Sequence, residues 1–215
     1  MEIRKVDVLS DPNMVLEIVK VYKQTFGTDP WNEGFVCPVC GKTYPLSVQS
    51  SFCPNCLRSR KEWLVWLVEY WPVNKVIADF YAENIKKDSV CFVVEENKKT
   101  IGFVWGYGMS ISPKTAEEIE APELANTYRR EVFYLDECGV LPEFQGRGYG
   151  KAMVQKILAE QPYDILILRT LENSVMQHMI ESLGGEKILS ISKGRIIMKL
   201  VKTTSLHKFV IPDHY

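Results

Sequence analysis

Four cysteines at two CxxC spacings are the first residues here whose types and spacing suggest chemistry. Cys37-Pro38-Val39-Cys40 and Cys53-Pro54-Asn55-Cys56 are separated by twelve residues. Thiolates three residues apart can meet at one knuckle, and two knuckles can close a tetrahedral site around a metal ion. Pro38 and Pro54 preset the turns, and Gly41 permits the unusual backbone that follows the first. Four protein thiolates leave no open position for a catalytic water, so the expected ion is a structural Zn2+. An iron centre and disulfides are the other readings of the same spacing. Cys91 and Cys138 stand singly in apolar runs.

A second constellation is Gln145-Gly146-Arg147-Gly148-Tyr149-Gly150-Lys151, in which three glycines alternate. Glycine lets backbone N–H groups approach an anion closely, and a helix start adds unpaired N–H groups and a positive dipole end. Arg147 and Lys151 add charge-assisted contacts. Together they suit a pyrophosphate. The spacing is not the GxGxxG of dinucleotide-binding folds, and the GxxxxGK-Ser/Thr loop of nucleotide triphosphatases is absent. A third set lies just upstream, where Asp136 and Glu137 are adjacent and Tyr134 precedes them by two. Strand alternation predicts Tyr134, Asp136, Cys138 and Val140 on one face, with Glu137 and Leu141 on the other. A carboxylate there can act as a general base or bridge to a neighbouring strand.

The elements that must position these groups follow from periodicity. Met14, Val15, Ile18, Val19, Tyr22 and Phe26 recur at helical spacing over 12–26, with Asp11 as N-cap and Pro12 in the first turn. A turn-rich loop leads into the cysteine segment. Trp63, Trp66, Tyr70 and Trp71 fall on one side of a helix, which Pro72 ends. A second helix is expected over 74–86. The period then shortens: 90–95 and 101–107 form a hairpin, and 132–141 is a strand feeding the helix 148–160. A buried strand at 164–170, a helix at 174–183 and strands at 187–192 and 195–201 complete the order. The segment 108–130 is irregular apart from a short helix near 116–119. Strands with helices on both sides predict an α/β sheet protein.

The second and third constellations together carry a family likeness. Val140 and Pro142 before Gln145–Gly150, then Leu168–Gly184 with Asn173 and a terminal Ser182-Leu183-Gly184, resemble the GNAT superfamily of acyl-CoA-dependent N-acetyltransferases. The likeness covers roughly residues 1–34 and 72–201. It implies a mixed, mostly antiparallel central sheet flanked by helices, in one domain over 1–201. A zinc-ribbon-like insert at 34–58 interrupts that domain, and 202–215 form a C-terminal tail. It also implies that the family's fourth and fifth strands splay apart to admit acetyl-CoA. The pantetheine arm then pairs with the backbone of Cys138, Gly139 and Val140. The pyrophosphate rests on Gln145, Gly146, Arg147, Gly148, Tyr149, Gly150 and Lys151, and Asn173 also contacts the cofactor. An amide near Val140 polarises the thioester carbonyl.

On that reading an amine attacks the thioester directly in a ternary complex. Asp136 is the first choice of base, Glu137 the second, and Tyr134 is a candidate acid. Many relatives carry a tyrosine acid where this chain has Ile180, and another common relative carries a glutamate base where it has Ile167. A non-catalytic acyl-CoA-binding or zinc-ribbon interaction module is therefore the alternative. The stretch Pro30-Trp31-Asn32-Glu33 resembles a loop that walls the family's acceptor site, so Trp31 either lines that site or packs the loop on the core.

Composition narrows the partners. The chain has 215 residues, 46% of them hydrophobic and 25% charged, with a net charge of −1. Bulk charge argues against nucleic acid or an anionic membrane, and no long apolar run suggests a membrane span. The start MEIRKVDVLSDPN lacks the apolar core of a signal peptide, so a cytoplasmic location is expected. The remaining partner is an amine acceptor, either a small molecule or a protein amine. Phe209, Val210 and Ile211 give the tail an apolar stretch that is expected to dock, with a homodimer as one arrangement that would provide a surface.

Overall fold

A computed structural model describes residues 2–58, 67–128 and 131–202. Its fold is mixed α/β, a large and mostly antiparallel sheet flanked by helices. The chain divides into two compact units. The first comprises the described residues of Met1–Met109 and Phe133–Gln161, and the second those of Ser110–Val132 and Pro162–Tyr215.

The first unit opens with β1 (Glu2–Lys5) and α1 (Pro12–Phe26). Asp11 caps α1 by accepting from the Met14 amide at 3.0 Å, as the sequence predicts. The helix buries Met14, Val15, Ile18, Val19, Tyr22 and Phe26, the stripe read from periodicity, and also Val21 and Thr25. Next come three two-residue strands, β2 (Phe35–Val36), β3 (Thr43–Tyr44) and β4 (Val68–Glu69), forming a small antiparallel sheet in the order β3-β2-β4. Here one expectation fails. Val68–Glu69 is extended and Tyr70 and Trp71 lie in bends, so they do not continue a helical face; Trp63 and Trp66 lie outside the described residues. Pairing of β4 with β2 overrides the helical spacing of the aromatics.

α2 (Val73–Asn84) follows, burying Val76, Phe80 and Asn84. β5 (Val90–Glu96) and β6 (Lys99–Ser110) form the expected hairpin, whose register slips once between Val94 and Glu95. β7 (Glu131–Val140) runs into a short 3-10 turn at Pro142–Phe144 and then α4 (Tyr149–Glu160), while α3 (Pro113–Glu118), earlier in the chain, belongs to the second unit. The strands of this unit lie in the order β1-β5-β6-β7. Periodicity gave no signal for β1, because Glu-Ile-Arg-Lys offers one apolar residue; its pairing with β5 and the Arg4–Glu95 ion pair at 2.8 Å hold it.

The second unit contains β8 (Ile165–Leu171), α5 (Val175–Glu181), β9 (Glu186–Ser190) and β10 (Arg195–Val201). Its strands run antiparallel in the order β8-β10-β9. Ser174 caps α5 by accepting from the Gln177 amide at 3.1 Å. Ile167 and Ile180 are fully buried, so their apolar side chains serve packing. The apolar tail stretch 209–211 lies outside the described residues. Among the described residues no helix is long and apolar enough to cross a membrane.

Candidate active site and metal centre

The four knuckle cysteines come together. Their sulfurs all lie within 4.8 Å of one another, with Cys40 to Cys53 at 3.6 Å and Cys37 to Cys56 at 4.0 Å. A disulfide needs about 2.05 Å between sulfurs, so all four are free thiols. Zinc–sulfur bonds of about 2.3 Å in a tetrahedron place the sulfurs about 3.8 Å apart, and the observed spacings fit such a donor set.

The two knuckles repeat one backbone pattern. The Cys37 amide donates to the Lys42 carbonyl at 2.9 Å and the Cys53 amide to the Arg58 carbonyl at 3.0 Å. In each turn the residue after the second cysteine donates back to the first cysteine's carbonyl, at 2.9 Å, and has a left-handed backbone. That residue is Gly41 in the first knuckle and Leu57 in the second, with φ of +68° and +56°. Burial opposes ionisation of Cys53, but donation from the Tyr44 hydroxyl at 3.1 Å and from the Cys56 and Asn55 amides outweighs it, bringing the thiol down to about 6. Leu57 is 74% exposed, so its side chain contributes little packing. Leu57→Gly is therefore expected to stabilise the insert by up to about 1 kcal/mol through relief of the left-handed backbone. A thermal melt would register this as a higher midpoint, and a lower one would contradict it.

The insert is fastened to the end of α1. The Leu46 amide donates to the Gly27 carbonyl at 2.8 Å and the Tyr70 amide to the Gly34 carbonyl at 3.0 Å. Lys23 pairs with Glu69 at 2.6 Å and also donates to the Trp71 carbonyl. Between α1 and β2, Trp31 packs edge-on against Phe26 with ring centres 5.4 Å apart, so it does pack the loop on the core.

The glycine loop takes the shape its sequence predicts. Gly146 and Gly148 have φ of +74° and +83°, and a Cβ added to either would meet no atom within 4 Å. The loop thus presents open backbone leading into the first turn of α4, which Gly148 caps. Gln145 ties the loop to the preceding strand by donating to the Val140 carbonyl at 2.9 Å, and Thr25 of α1 approaches the same oxygen at 3.4 Å. The Arg147 guanidinium donates to the Glu143 carbonyl at 2.9 Å and lies over the Phe144 ring. Tyr149 anchors the helix start by donating to Glu96 at 2.9 Å. Asn173, in the second unit, has φ of +61°, and its amide donates to the Gln177 side chain at 2.7 Å.

Strand β7 departs from strict alternation. Asp136 accepts from the Trp105 indole, and Trp105 stacks on Phe103 with ring centres 5.0 Å apart. A Cβ at Gly139 would run into that Phe103 ring at 2.9 Å, so Asp136 and Gly139 share a face although they are three residues apart. A Cβ at Gly102, the neighbour of Phe103, would instead meet the Val140 side chain at 3.2 Å. Val140 is therefore opposite Asp136, and the predicted grouping of Asp136 with Val140 fails. One residue between Asp136 and Gly139 is out of step, as at a β-bulge, which no side-chain pattern announces.

Around Asp136 the structure assembles groups that spacing could not join. The Trp105 Nε1–H donates to Glu83 at 2.9 Å and to Asp136 at 3.2 Å, which brings the two carboxyls together at one donor. Burial, then Asp136, pushes Glu83 up to about 9. Tyr22 of α1 stacks near Phe103 and Trp105. Its hydroxyl is held protonated by burial and by the carboxylates of Glu137, Glu33 and Asp136. Tyr134 is buried, with its ring 5.7 Å from that of Tyr107. Desolvation and Glu137 push the Cys138 thiol up to about 12, which keeps it protonated near neutrality. Glu83 and Tyr22 carry no motif; only the helical burial of α1 and α2 hints at where they point.

The model of the acetyltransferase (GNAT) family matches residues 60–184, more than half of the chain, and the chain belongs to that family. The family carries out acyl-CoA-dependent acetyl transfer, with acetyl-CoA as cosubstrate. Among solved structures, PH1933 from Pyrococcus horikoshii OT3 is 16% identical, with a TM-score of 0.57 over 94% of this chain and 99% of that one. The aminoglycoside 6'-acetyltransferase type Ii is 12% identical, with a TM-score of 0.56 over 95% of this chain and 99% of that one. At these identities the likeness is one of fold. No curated protein matches the sequence.

Proposed function

We propose that this protein is an N-acetyltransferase that moves the acetyl group of acetyl-CoA to a primary amine by direct attack in a ternary complex. The observation that carries the reading is the pair of left-handed glycines, Gly146 and Gly148, opening backbone toward α4 directly after the strand that holds Asp136. In this reading Gln145 to Lys151 hold the pyrophosphate and Cys138, Gly139 and Val140 pair with pantetheine. Asn173 adds a further cofactor contact. The slip in β7 near those residues supports it, since a bulge leaves a strand's polar groups unpaired for a ligand. Asp136 takes the amine's proton first and Glu137 is the second candidate. Tyr134 is the candidate acid. Direct attack is supported by the state of Cys138: a thiol held protonated is a poor nucleophile for a covalent acetyl intermediate. The carboxylates around Tyr22 give the acceptor side a negative potential suited to an ammonium group.

The same reading makes residues 1–201 one catalytic domain interrupted by the insert at 34–58. Cys37, Cys40, Cys53 and Cys56 hold a structural Zn2+ there, which orders a loop too small to bury a core of its own. A cytoplasmic location, where thiols stay reduced, suits such a site. The acceptor is a small molecule or a protein amine, and a homodimer would give the tail a docking surface.

Gly148→Val is expected to weaken acetyl-CoA binding by at least about ten-fold, because a branched side chain disfavours the left-handed backbone and blocks approach to the N–H groups. Calorimetric titration checks this, and an unchanged affinity would move the cofactor off the loop. The buried Ile180 favours a second reading, a module that binds acyl-CoA without turning it over. Binding of acetyl-CoA with no thiol release across primary amines would select it.

A further inference from the structure

We propose that Glu83 and Asp136 act as one carboxyl pair bridged by the Trp105 indole, with Glu83 the positioning residue that aims Asp136 at the amine and shares a proton with it. This rests on the reading of Asp136 as the base. The indole has one N–H and donates it to both carboxyls, at 2.9 and 3.2 Å. Both carboxyls thus meet at one hydrogen, where two fully ionised groups would repel, and burial together with the neighbouring Asp136 raises Glu83, so one proton stays on the pair near neutrality. The bridge is rigid. Trp105 is only 3% exposed, stacks on Phe103 at 5.0 Å, and meets Phe80 edge-on at 4.6 Å. Phe80 belongs to α2, the helix that carries Glu83, so one buried contact fixes both donor and acceptor. The charged and titratable groups facing the pair are Lys86 from α2, Tyr22 from α1, and Glu137 and Glu33 through Tyr22.

The pair divides the work of one proton transfer. As the C–N bond forms and the C–S bond breaks, the amine nitrogen gives a proton to Asp136. The pair then holds two protons, and loss of one to the departing thiolate or to water restores it. Holding Glu83 protonated keeps a single negative charge beside the reacting nitrogen and keeps the Asp136 carboxylate from rotating away. The shared proton also has a thermodynamic sign. Folded chain retains it between the ordinary value of 4.5 and about 9, where unfolded chain has released it, so this pair's contribution to stability declines as pH rises through that window.

Infrared difference spectroscopy on the full chain without ligand tests the pair. Wild type is expected to show a protonated-carboxyl stretch at pH 7.5 that disappears near pH 9, and Glu83→Gln is expected to lack it. A band that survives in Glu83→Gln, or is missing from wild type, overturns the proposal. Circular dichroism and an unchanged acetyl-CoA affinity establish that the variant is folded. Trp105→Phe provides a second handle: without the indole, which favours the charged form, the midpoint should rise. Neither spectrum uses acetyl-CoA turnover, so failure here is separate from failure of the acetyltransferase reading. With acetyl-CoA and spermidine as the probe pair, Glu83→Gln should lower kcat about ten-fold, leave the KM for acetyl-CoA unchanged and remove the inflection near pH 9. Equal kcat and superimposable pH profiles would overturn the catalytic half of the proposal.

Discussion

Cys53→Ser is expected to empty the metal centre and unfold the insert around residues 34–58 while leaving the sheet folded. Cys53 is fully buried at the centre of the cluster, 3.6 Å from Cys40 and 3.1 Å from the Tyr44 hydroxyl. The insert's own strands, β2 and β3, are two residues each, far too short to hold without the metal. Structural zinc in isolated knuckle peptides contributes about 10–16 kcal/mol, so loss of one of four ligands is expected to cost several kcal/mol locally. Elemental analysis should fall from one zinc per chain to well below half. Hydrogen exchange should rise over the insert and spread to the end of α1, through the Leu46–Gly27 and Lys23–Glu69 ties. The KM for the amine should rise more than the KM for acetyl-CoA, because the glycine loop is not fastened to the insert by any of these ties. Full protection of the insert in a zinc-free variant would contradict the metal assignment.

Asp136→Asn is expected to lower turnover by about 10²–10⁴-fold with acetyl-CoA affinity unchanged. An alkyl ammonium with pKa about 10.4 is neutral in roughly one molecule per thousand at pH 7.5, so a proton acceptor at the nitrogen controls the rate. Asparagine keeps the size of Asp136 and can still accept from the Trp105 indole, so the loss reports the missing negative charge. Glu137→Gln should cost less, since it is Asp136 that accepts from the indole that also holds Glu83. Steady-state thiol release measures both. Reversal of that order would transfer the base to Glu137.

The parts legible in the sequence are those where chemistry is local. Gln145–Lys151 announces itself because alternating glycines, a strand before and a helix after all occur within a few residues, and the loop has the predicted backbone. The cysteines are legible for the same reason: CxxC fixes a turn, and the two turns proved to share one hydrogen-bond pattern. Leu57, left-handed where its counterpart is Gly41, shows that the pattern survives without the residue that usually signals it.

The illegible parts depend on tertiary contact. Glu83 sits on α2 with no motif around it, and it reaches Asp136 only because Phe80 docks the helix against Trp105. The slip in β7 is a backbone event, so side-chain alternation misassigned Val140. Tyr70 and Trp71 have helical spacing but follow a strand paired to the insert. β1 has a single apolar residue and is recognisable only by its partner β5.

One reaction tests the proposed acetyl transfer most directly. Purified protein is incubated with acetyl-CoA and a panel of primary amines including spermidine, an aminoglycoside and a peptide with a free N-terminus. Thiol release is followed while mass spectrometry identifies the acetylated product. Amine-dependent release of CoA is expected, matched mole for mole by one acetylated amine and nearly abolished in Asp136→Asn. Thiol release that no amine stimulates, in protein shown by calorimetry to bind acetyl-CoA, would contradict the proposed transfer.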